Sequence, residues 1–204
     1  VMLMQTWVFA YSGSGTEEFP YIVTTYEDLK TCIGKGGYVE LGADISQDFD
    51  SESLNGLGIS ITKDTYLDFC GYKMIVNAVT DSEERVILFS VSHRAGTGTG
   101  TNLYISDSGY EGGAYLKCTS MGSKSDCIMI NCGNNDRVFI NGGNLVNESG
   151  YVFYTYSGIE SRITVNGGYL YSKSTKSNCI FCRYCTVNGG IIKSDGKYAI
   201  RFVP

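Results

Sequence analysis

Histidine, tryptophan and proline are almost missing from this chain, and charged residues are few. Its 204 residues include one histidine, one tryptophan and two prolines. With His93 alone, neither a histidine-rich metal site nor a conventional Ser/His/Asp triad has support in the sequence, so we interpret His93 as a polar surface residue. Charged residues make up 18% of the chain, the formal net charge is −5, and no basic run occurs. A nucleic-acid partner is therefore not expected.

Long apolar runs are also absent. No stretch is apolar over the roughly 20 residues that a membrane-spanning helix needs, so no membrane partner is expected. Residues 1–9 are largely apolar but lack the basic start of a signal peptide. We divide the chain into an N-terminal arm or linker, residues 1–20, and one domain, residues 21–204. The arm either packs on the domain as a strand or docks on a neighbouring subunit or a larger assembly.

Glycine is abundant, with 26 residues, and a short phrase that ends in Asn-Gly-Gly recurs three times. The phrase ends at 141–143, 166–168 and 188–190, and its asparagines are 25 and then 22 residues apart. Two apolar residues at i and i+2 precede each copy, as in a strand with one buried face. A repeat of this length predicts stacked supersecondary units rather than isolated hairpins. The apolar pairs are Val138 and Ile140, Ile163 and Val165, and Cys185 and Val187.

A second strand series alternates with the first. Two series with one period predict that each repeat is one turn of a coil. Weaker copies of the first series lie upstream, where we match Phe69 with Ile105. In this phase Cys182 and Cys185 point inward and Cys179 points outward. The aligned residues of the second series are Ile128, Val152, Ile180 and Ile200.

The cysteines are predicted to be core residues. The chain has eight of them, and three form the pattern Cys179-x-x-Cys182-x-x-Cys185. Zinc sites usually use two separated pairs, so we interpret these residues as stacked core thiols, which are common small apolar residues. Disulfides between neighbouring coils are left open, and we expect neither a metal nor a cofactor.

Residues 21–41 predict a short strand, a helix and then the first coil. Thr24 or Thr25 can cap the helix, and Gly34 is expected to end it. Such a helix would cover the open end of the first coil, which would otherwise expose core residues and strand edges. The apolar stripe of the helix consists of Leu29, Cys32 and Ile33.

With these features the chain resembles the right-handed parallel β-helix proteins of the pectate-lyase-like superfamily, over roughly residues 21–204. The resemblance lies in the strand pattern and not in a catalytic motif. It implies an all-β fold, a right-handed single-stranded parallel β-helix of about five to six coils with a short N-terminal capping α-helix. Tail-spike-like relatives are commonly trimers, so it also implies a homotrimer on a virion or on a cell surface. The last strand, near residues 199–203, has no cap sequence, so either further chain or another subunit would cover it.

The resemblance also suggests two functions. The family's enzymes act on acidic or neutral polysaccharides with carboxylates, Arg or Lys on the outer face. Hydrolysis needs two carboxylates about 5–10 Å apart, yet no two of the outer-face acids that we considered share a repeat phase on an outward position. We therefore favour a non-enzymatic recognition module of an appendage, with a polysaccharide lyase or glycoside hydrolase as the alternative. The catalytic candidates of that alternative are Asp107, Glu111 and Asp136.

Arginines and tyrosines are the candidate binding residues for a glycan or cell-surface polysaccharide. Arg137, Arg162 and Arg183 precede first-series strands in three successive coils. They predict either a basic stripe that holds an anionic glycan or solvated charges at strand edges. Tyrosine, with 16 residues, stacks on sugar rings or simply on other side chains along a β-ladder. The outward or turn-adjacent candidates are Tyr151, Tyr169, Tyr171 and Tyr184.

Overall fold

The computed structural model describes residues 11–80, 85–93, 100–119, 126–156 and 160–203. Within these ranges the chain forms one α-helix and nineteen strands, and each pairing between the strands is parallel. Residues 1–10, the first half of the predicted arm, lie outside the described residues. No helix in the described ranges is long and apolar enough to span a membrane.

The chain enters through a strand and a helix and then winds through six coils of three strands each. The entry consists of β1 (Tyr21–Val23) and α1 (Tyr26–Lys35). The coils are, in order, β2 (Gly37–Leu41), β3 (Ile45–Phe49) and β4 (Ile59–Ile61); β5 (Thr65–Asp68), β6 (Lys73–Val79) and β7 (Val86–Val91); β8 (Asn102–Ser106), β9 (Gly113–Thr119) and β10 (Cys127–Cys132); β11 (Arg137–Ile140), β12 (Asn144–Asn147) and β13 (Tyr151–Tyr154); β14 (Arg162–Val165), β15 (Tyr169–Ser172) and β16 (Ile180–Cys182); β17 (Tyr184–Val187), β18 (Ile191–Ser194) and β19 (Ile200–Phe202).

Each coil contributes one strand to each of three parallel sheets. Sheet A runs β1–β2–β5–β8–β11–β14–β17, sheet B runs β3–β6–β9–β12–β15–β18, and sheet C runs β4–β7–β10–β13–β16–β19. The predicted right-handed parallel β-helix of about five to six coils with an N-terminal capping helix is therefore confirmed. The crossover connection between two parallel strands of one sheet is right-handed in nearly all proteins.

The core lies inside the coils and is built from stacked apolar rows. In sheet A, Ile105, Ile140 and Val165 stack in register on successive coils, as the first series predicts. All three are fully buried, and burying such a side chain stabilises the fold by about 1.5–3 kcal/mol. Cys182 is fully buried as predicted, whereas Cys185 is partly buried against the core.

The helix α1 covers the first coil. Thr25 is its N-cap, with Oγ1 accepting a hydrogen bond from the Asp28 backbone N–H at 3.2 Å. The helix contacts β2, β3 and β4, so it closes the end of the coil as predicted. The helix ends at Lys35 with Gly36, and not Gly34, as its C-cap, because the positive φ of 77° at Gly36 turns the chain while its N–H still bonds the Ile33 carbonyl. The apolar residues that it buries are Tyr26, Leu29, Cys32 and Ile33.

The second strand series has a different register from the one that the sequence alignment predicts. Ile180 pairs with Phe153 and not with Val152. The Cys179 carbonyl oxygen accepts hydrogen bonds from both the Val152 and the Phe153 N–H groups, at 2.9 and 3.1 Å. Two residues of β13 thus oppose one of the next coil, which is the arrangement of a β-bulge. Because Val152 and Phe153 are both apolar, the sequence pattern carries no mark of the extra residue.

This shift also overturns the predicted orientation of Cys179. We matched Cys179 with Tyr151, an outward residue, but Tyr151 pairs with Ile128. Cys179 takes the position that corresponds to Val152, and both side chains are fully buried. The match of Ile180 with Ile200 in the last coil is confirmed.

The upstream match of Phe69 with Ile105 is wrong by two residues. Ile105 pairs with Leu67 in β5, and Phe69 follows the strand at the corner, where its ring is fully buried. The early coils have no Asn-Gly-Gly phrase to mark the end of the strand, so the apolar pattern alone leaves the register open by a multiple of two.

Residues 11–20, the described part of the predicted arm, lie against the first strands of sheet A. Ser12 forms an antiparallel bridge with Ile22, and the Tyr38 N–H donates to the Gly15 carbonyl at 2.9 Å. The division of the chain at residue 20 stays a prediction.

The recurring Asn-Gly-Gly phrase forms the corner between sheets A and B. The second glycine of each copy has a positive φ, 87° at Gly143 and 85° at Gly168, which other residues adopt only with strain. The asparagines form a ladder, since Asn166 Nδ2 donates to Asn141 Oδ1 and Asn188 Nδ2 donates to Asn166 Oδ1, each at 2.8 Å.

The substitution Asn166→Ala is expected to lower the free energy of unfolding by about 1–2 kcal/mol, because it removes both hydrogen bonds of the central asparagine. Urea denaturation measures the change. Thr164→Ala, which lies outward on the same strand, is the control and is expected to change stability by less than about 0.5 kcal/mol. Equal losses in the two variants would show that the asparagine ladder contributes nothing specific.

Candidate functional site

The outer face of sheet A carries three rows of side chains that run along the helix axis. They follow from the register, because every second residue of each strand points outward. The basic row is Asn102, Arg137, Arg162 and Tyr184; the aromatic row is Tyr38, Tyr66, Tyr104 and Phe139; the acidic row is Glu40, Asp68 and Ser106.

The aromatic row is a continuous stack of rings. The ring centroids of Tyr38 and Tyr66 lie 4.3 Å apart, those of Tyr66 and Tyr104 lie 4.4 Å apart, and those of Tyr104 and Phe139 lie 4.7 Å apart. The planes are within 8° of parallel, so the spacing of the coils sets the stack. Burial, followed by the charge of the neighbouring Tyr66 hydroxyl, raises the pKa of Tyr104.

The basic row places two arginines side by side. Arg137 pairs in register with Arg162, and Arg162 with Tyr184, whose ring centroid is 5.1 Å from the Arg162 guanidinium. Arg183 lies 5.3 Å from the same ring and forms an ion pair with Glu160 at 3.0 Å. In the part of the chain that the structure describes, Arg137 and Arg162 form no ion pair with a carboxylate.

A cavity of about 360 Å³ opens over these residues, so the structure brings together four of the seven predicted glycan-binding residues. Its walls combine positive charge, an aromatic ring and hydroxyl groups, which suits an anionic, hydroxyl-rich ligand. The residues that line it include Arg137, Phe139, Arg162, Thr164, Arg183 and Tyr184.

The acidic row contains a pair of carboxylates that the sequence analysis missed. Glu40 and Asp68 are opposite each other on the first two coils, beside the stacked tyrosines, and line a cavity of about 210 Å³. Burial, and then the charge of Asp68, raises the pKa of Glu40. Burial would raise the pKa of Asp68 too, but hydrogen bonds from the Ser108 and Cys70 backbone N–H groups outweigh it and lower that pKa. Glu40 therefore keeps its proton to a higher pH than Asp68 does.

The other three predicted tyrosines lie on different faces. Tyr169 and Tyr171 lie on sheet B, where their rings meet edge to face with centroids 5.7 Å apart. Tyr151 lies on sheet C, with its ring 5.1 Å from that of Tyr154. The repeat predicts which residues point outward, but it does not predict which of the three sheets a strand joins.

The three predicted catalytic acids do not come together. Asp107 bridges two turns, since its carboxylate oxygens accept the Gly71 and Gly112 N–H groups, each at 2.7 Å. Glu111 is exposed in the turn that follows.

Asp136 is a buried structural acceptor at the other end of the sheet A strands. It is fully buried and accepts the Thr101 N–H at 2.7 Å. His93 contacts it through the backbone N–H and through Nδ1, each 3.2 Å from Asp136 Oδ1. We expected His93 to be a polar surface residue, whereas it is a partly buried partner of this carboxylate.

The sequence contains one signal for the pair of acids that the sequence analysis missed. Glu40 and Asp68 alternate with Val39, Leu41 and Leu67, so their outward phase could be read locally once the entry strand was placed. The pairing of the two acids could not be read, because the spacing between the first coils differs from that of the later ones. Neither the cysteines nor the acids and histidine of the described ranges form a group of three that could hold a metal ion.

The comparisons with known proteins add no relative. No protein-family model, no curated protein and no solved structure matches the chain. A proposal of function therefore rests on the side chains of the coils themselves, because one fold hosts many activities.

Proposed function

We propose that this chain is a recognition module of a phage or cell-surface appendage, and that it binds an anionic glycan on the outer face of sheet A without cleaving it. The observation that carries the proposal is the pair Arg137 and Arg162, which lie in register on neighbouring coils without a carboxylate partner among the described residues.

The physical argument starts from repulsion. Neighbouring strands of a sheet lie about 4.8 Å apart, and like charges directly opposite each other are destabilising. An anion between the two guanidinium groups would remove that cost and gain charge-assisted hydrogen bonds, which arginine forms in a bidentate way with carboxylates. Tyr184, beside both Arg162 and Arg183, offers an aromatic face to the sugar ring that carries the acid group.

The assembly is part of the same proposal. The resemblance to tail-spike-like parallel β-helices supports a homotrimer on a virion or on a cell surface, with the N-terminal arm docking on a larger assembly. Three copies would present three basic cavities to one polymer, and such multivalent contact strengthens binding without any new type of contact.

The mass in solution, measured by light scattering, tests the assembly, and a panel of acidic and neutral polysaccharides scored for binding and for chain shortening tests the activity. A trimer that binds acidic polymers and leaves them intact is the expected result. Failure to bind any acidic polymer would contradict the recognition function, and a monomer would contradict the assembly.

A second candidate function, glycoside hydrolysis, is favoured by Glu40 and Asp68. Hydrolysis needs one protonated acid and one carboxylate, and a separation of about 5 Å is typical of enzymes that retain the anomeric configuration. The two residues lie in register on adjacent strands, which places their backbones about 4.8 Å apart. Glu40, with its raised pKa, would act as the acid, and Asp68, with its lowered pKa, as the carboxylate that attacks or stabilises the sugar.

If the protein hydrolyses a glycan at this pair, Glu40→Gln is expected to lower the rate about a thousandfold, because a glutamine cannot deliver the proton. The rate of the unsubstituted protein would fall below the lowered pKa of Asp68 and above the raised pKa of Glu40, which gives a bell-shaped pH profile. Reducing-end release from the cleaved polymer measures both effects.

Glu52→Gln, an exposed acid away from this cavity, is the control for the hydrolysis test. If Glu40→Gln cleaves as fast as the unsubstituted protein, the assignment of Glu40 as the acid is wrong.

A further inference from the structure

Sheet B carries a groove on its outer face that neither the basic cavity nor the acid pair of sheet A uses. It has a volume of about 400 Å³, and four tyrosines are among its nine lining residues. It lies across the middle coils of the helix. The residues that bound it include Tyr110, Tyr115, Asn144, Val146, Tyr169 and Tyr171.

The register of sheet B places several of the lining residues in one row. One row of residues in register on sheet B consists of Lys73, Gly113, Asn144 and Tyr169, which lie on four successive coils. A side chain at Gly113 has no room, because a Cβ there would lie 2.0 Å from the Asn144 carbonyl oxygen. The Gly113 backbone therefore packs directly against the backbone of Asn144, and Lys73, Asn144 and Tyr169 of this row line the groove.

Tyr110 at the rim is the most unusual residue of this face. Its ring is 90% exposed, and its backbone lies in the left-handed region with a φ of 74°. A tyrosine in this conformation is strained, whereas glycine is not. In the described part of the chain its side chain forms no ion pair, hydrogen bond or ring contact that would offset the strain. Residues in such sparsely populated backbone conformations cluster at active sites and ligand-binding sites.

Two of the other walls, Tyr169 and Tyr171, are held in place by contacts within the chain. The Tyr171 hydroxyl donates to Asp195 at 2.7 Å, and Tyr169 contacts the Tyr171 ring. Burial, and then the charge of Asp107, raises the pKa of Tyr115. Tyr169 and Tyr171 are therefore held by contacts within the chain, whereas Tyr110 has no such side-chain contact among the described residues.

We propose that this groove is a second glycan site, which binds one uncharged sugar ring with Tyr110 as a stacking platform. It differs from the sheet A cavity in position and in ligand class. Either site can be present without the other.

The charges of the groove favour an uncharged ligand. Lys173 forms an ion pair with Glu148 at 2.7 Å, which leaves Lys73 and Glu111 as one positive and one negative group. An acidic sugar would meet a carboxylate at Glu111, and a cationic one would meet Lys73. A neutral pyranose fits better, because its hydroxyl groups donate to Glu111 and accept from Lys73 while its apolar face covers a tyrosine.

The substitution Tyr110→Gly tests the proposal directly. Binding of neutral hexasaccharides of glucose, mannose, galactose and xylose is measured by isothermal titration calorimetry, and thermal unfolding is followed on the same samples. At least one sugar is expected to bind, with about tenfold weaker affinity in the variant. The unfolding temperature is expected to stay the same or rise, because glycine relieves the strain.

A second variant, Asn144→Tyr, fills the groove from its floor and is expected to abolish binding of the same sugar. Tyr198→Ala, an exposed tyrosine elsewhere, is the control and should bind normally. The proposal is overturned if no neutral sugar binds, or if both groove variants bind as well as the unsubstituted protein. It is also overturned if Tyr110→Gly lowers the mass measured by light scattering without changing sugar binding, which would make Tyr110 a subunit contact. Arg137→Gln leaves this site unchanged, so failure of one site is distinguishable from failure of the other.

Discussion

Replacing Arg137 and Arg162 together by glutamine is expected to weaken the binding of an acidic polysaccharide by about a hundredfold. A hydrogen bond to a charged group contributes about 1.5–3 kcal/mol, and each 1.4 kcal/mol is a factor of ten in affinity. The double variant should fold at least as well as the original, because it removes a pair of like charges that lie in register. Calorimetric titration at one fixed salt concentration measures the affinity.

Two controls show whether the charge pair is responsible. Arg201→Gln on sheet C removes the same charge from a different face, where Arg201 lies over the Phe181 ring, and should leave affinity unchanged. The same polysaccharide with its carboxyl groups reduced should bind weakly to the unsubstituted protein. An unchanged affinity in the double variant would contradict the proposed site.

The three successive arginines could be predicted because each copy of the repeat carries the same phrase. Arg137, Arg162 and Arg183 precede strands whose ends are marked by Asn-Gly-Gly, and the first two indeed lie in register. Arg183 falls one residue outside the register, since Tyr184 takes its place opposite Arg162. A shift of one residue moves a side chain to the other face of a strand, and here it moves the arginine to a corner.

The strand register of the first coils could not be predicted in the same way. They lack the Asn-Gly-Gly phrase, and the loops between their strands are longer, so Phe69 was matched where Leu67 belongs. The same uncertainty concealed the pair Glu40 and Asp68, whose alignment becomes visible only when the two strands are paired. Local alternation predicts the inward and outward residues of a strand, whereas pairing between strands depends on loop lengths that carry little sequence signal.

The sequence also does not predict on which sheet of the helix each outward side chain lies. The repeat places Tyr151, Tyr171 and Tyr184 outward, but they lie on sheets C, B and A respectively. Each corner rotates the chain onto a new sheet, so residues that are close in sequence present different chemistry in different directions. Sheet A presents stacked rings between charged rows, and sheet B presents a neutral groove. The two proposed sites, one for an acidic and one for an uncharged glycan, therefore lie on different faces.

Removal of the Asp136 carboxylate is expected to be the most destabilising of the changes considered, with a loss of about 3–5 kcal/mol in the free energy of unfolding for Asp136→Ala. The side chain is fully buried and accepts hydrogen bonds from the Thr101 and His93 N–H groups, so its removal leaves buried donors without an acceptor. Asp126→Ala removes a carboxylate that forms a partly exposed ion pair with Arg85 at 3.0 Å, and should cost less than about 1 kcal/mol. Urea denaturation of both variants separates a structural carboxylate from a surface one. The structural role is wrong if Asp136→Ala lowers the free energy of unfolding no more than Asp126→Ala does and if Asp136→Ala also abolishes cleavage of a glycan. Asp136 would then again be a catalytic candidate.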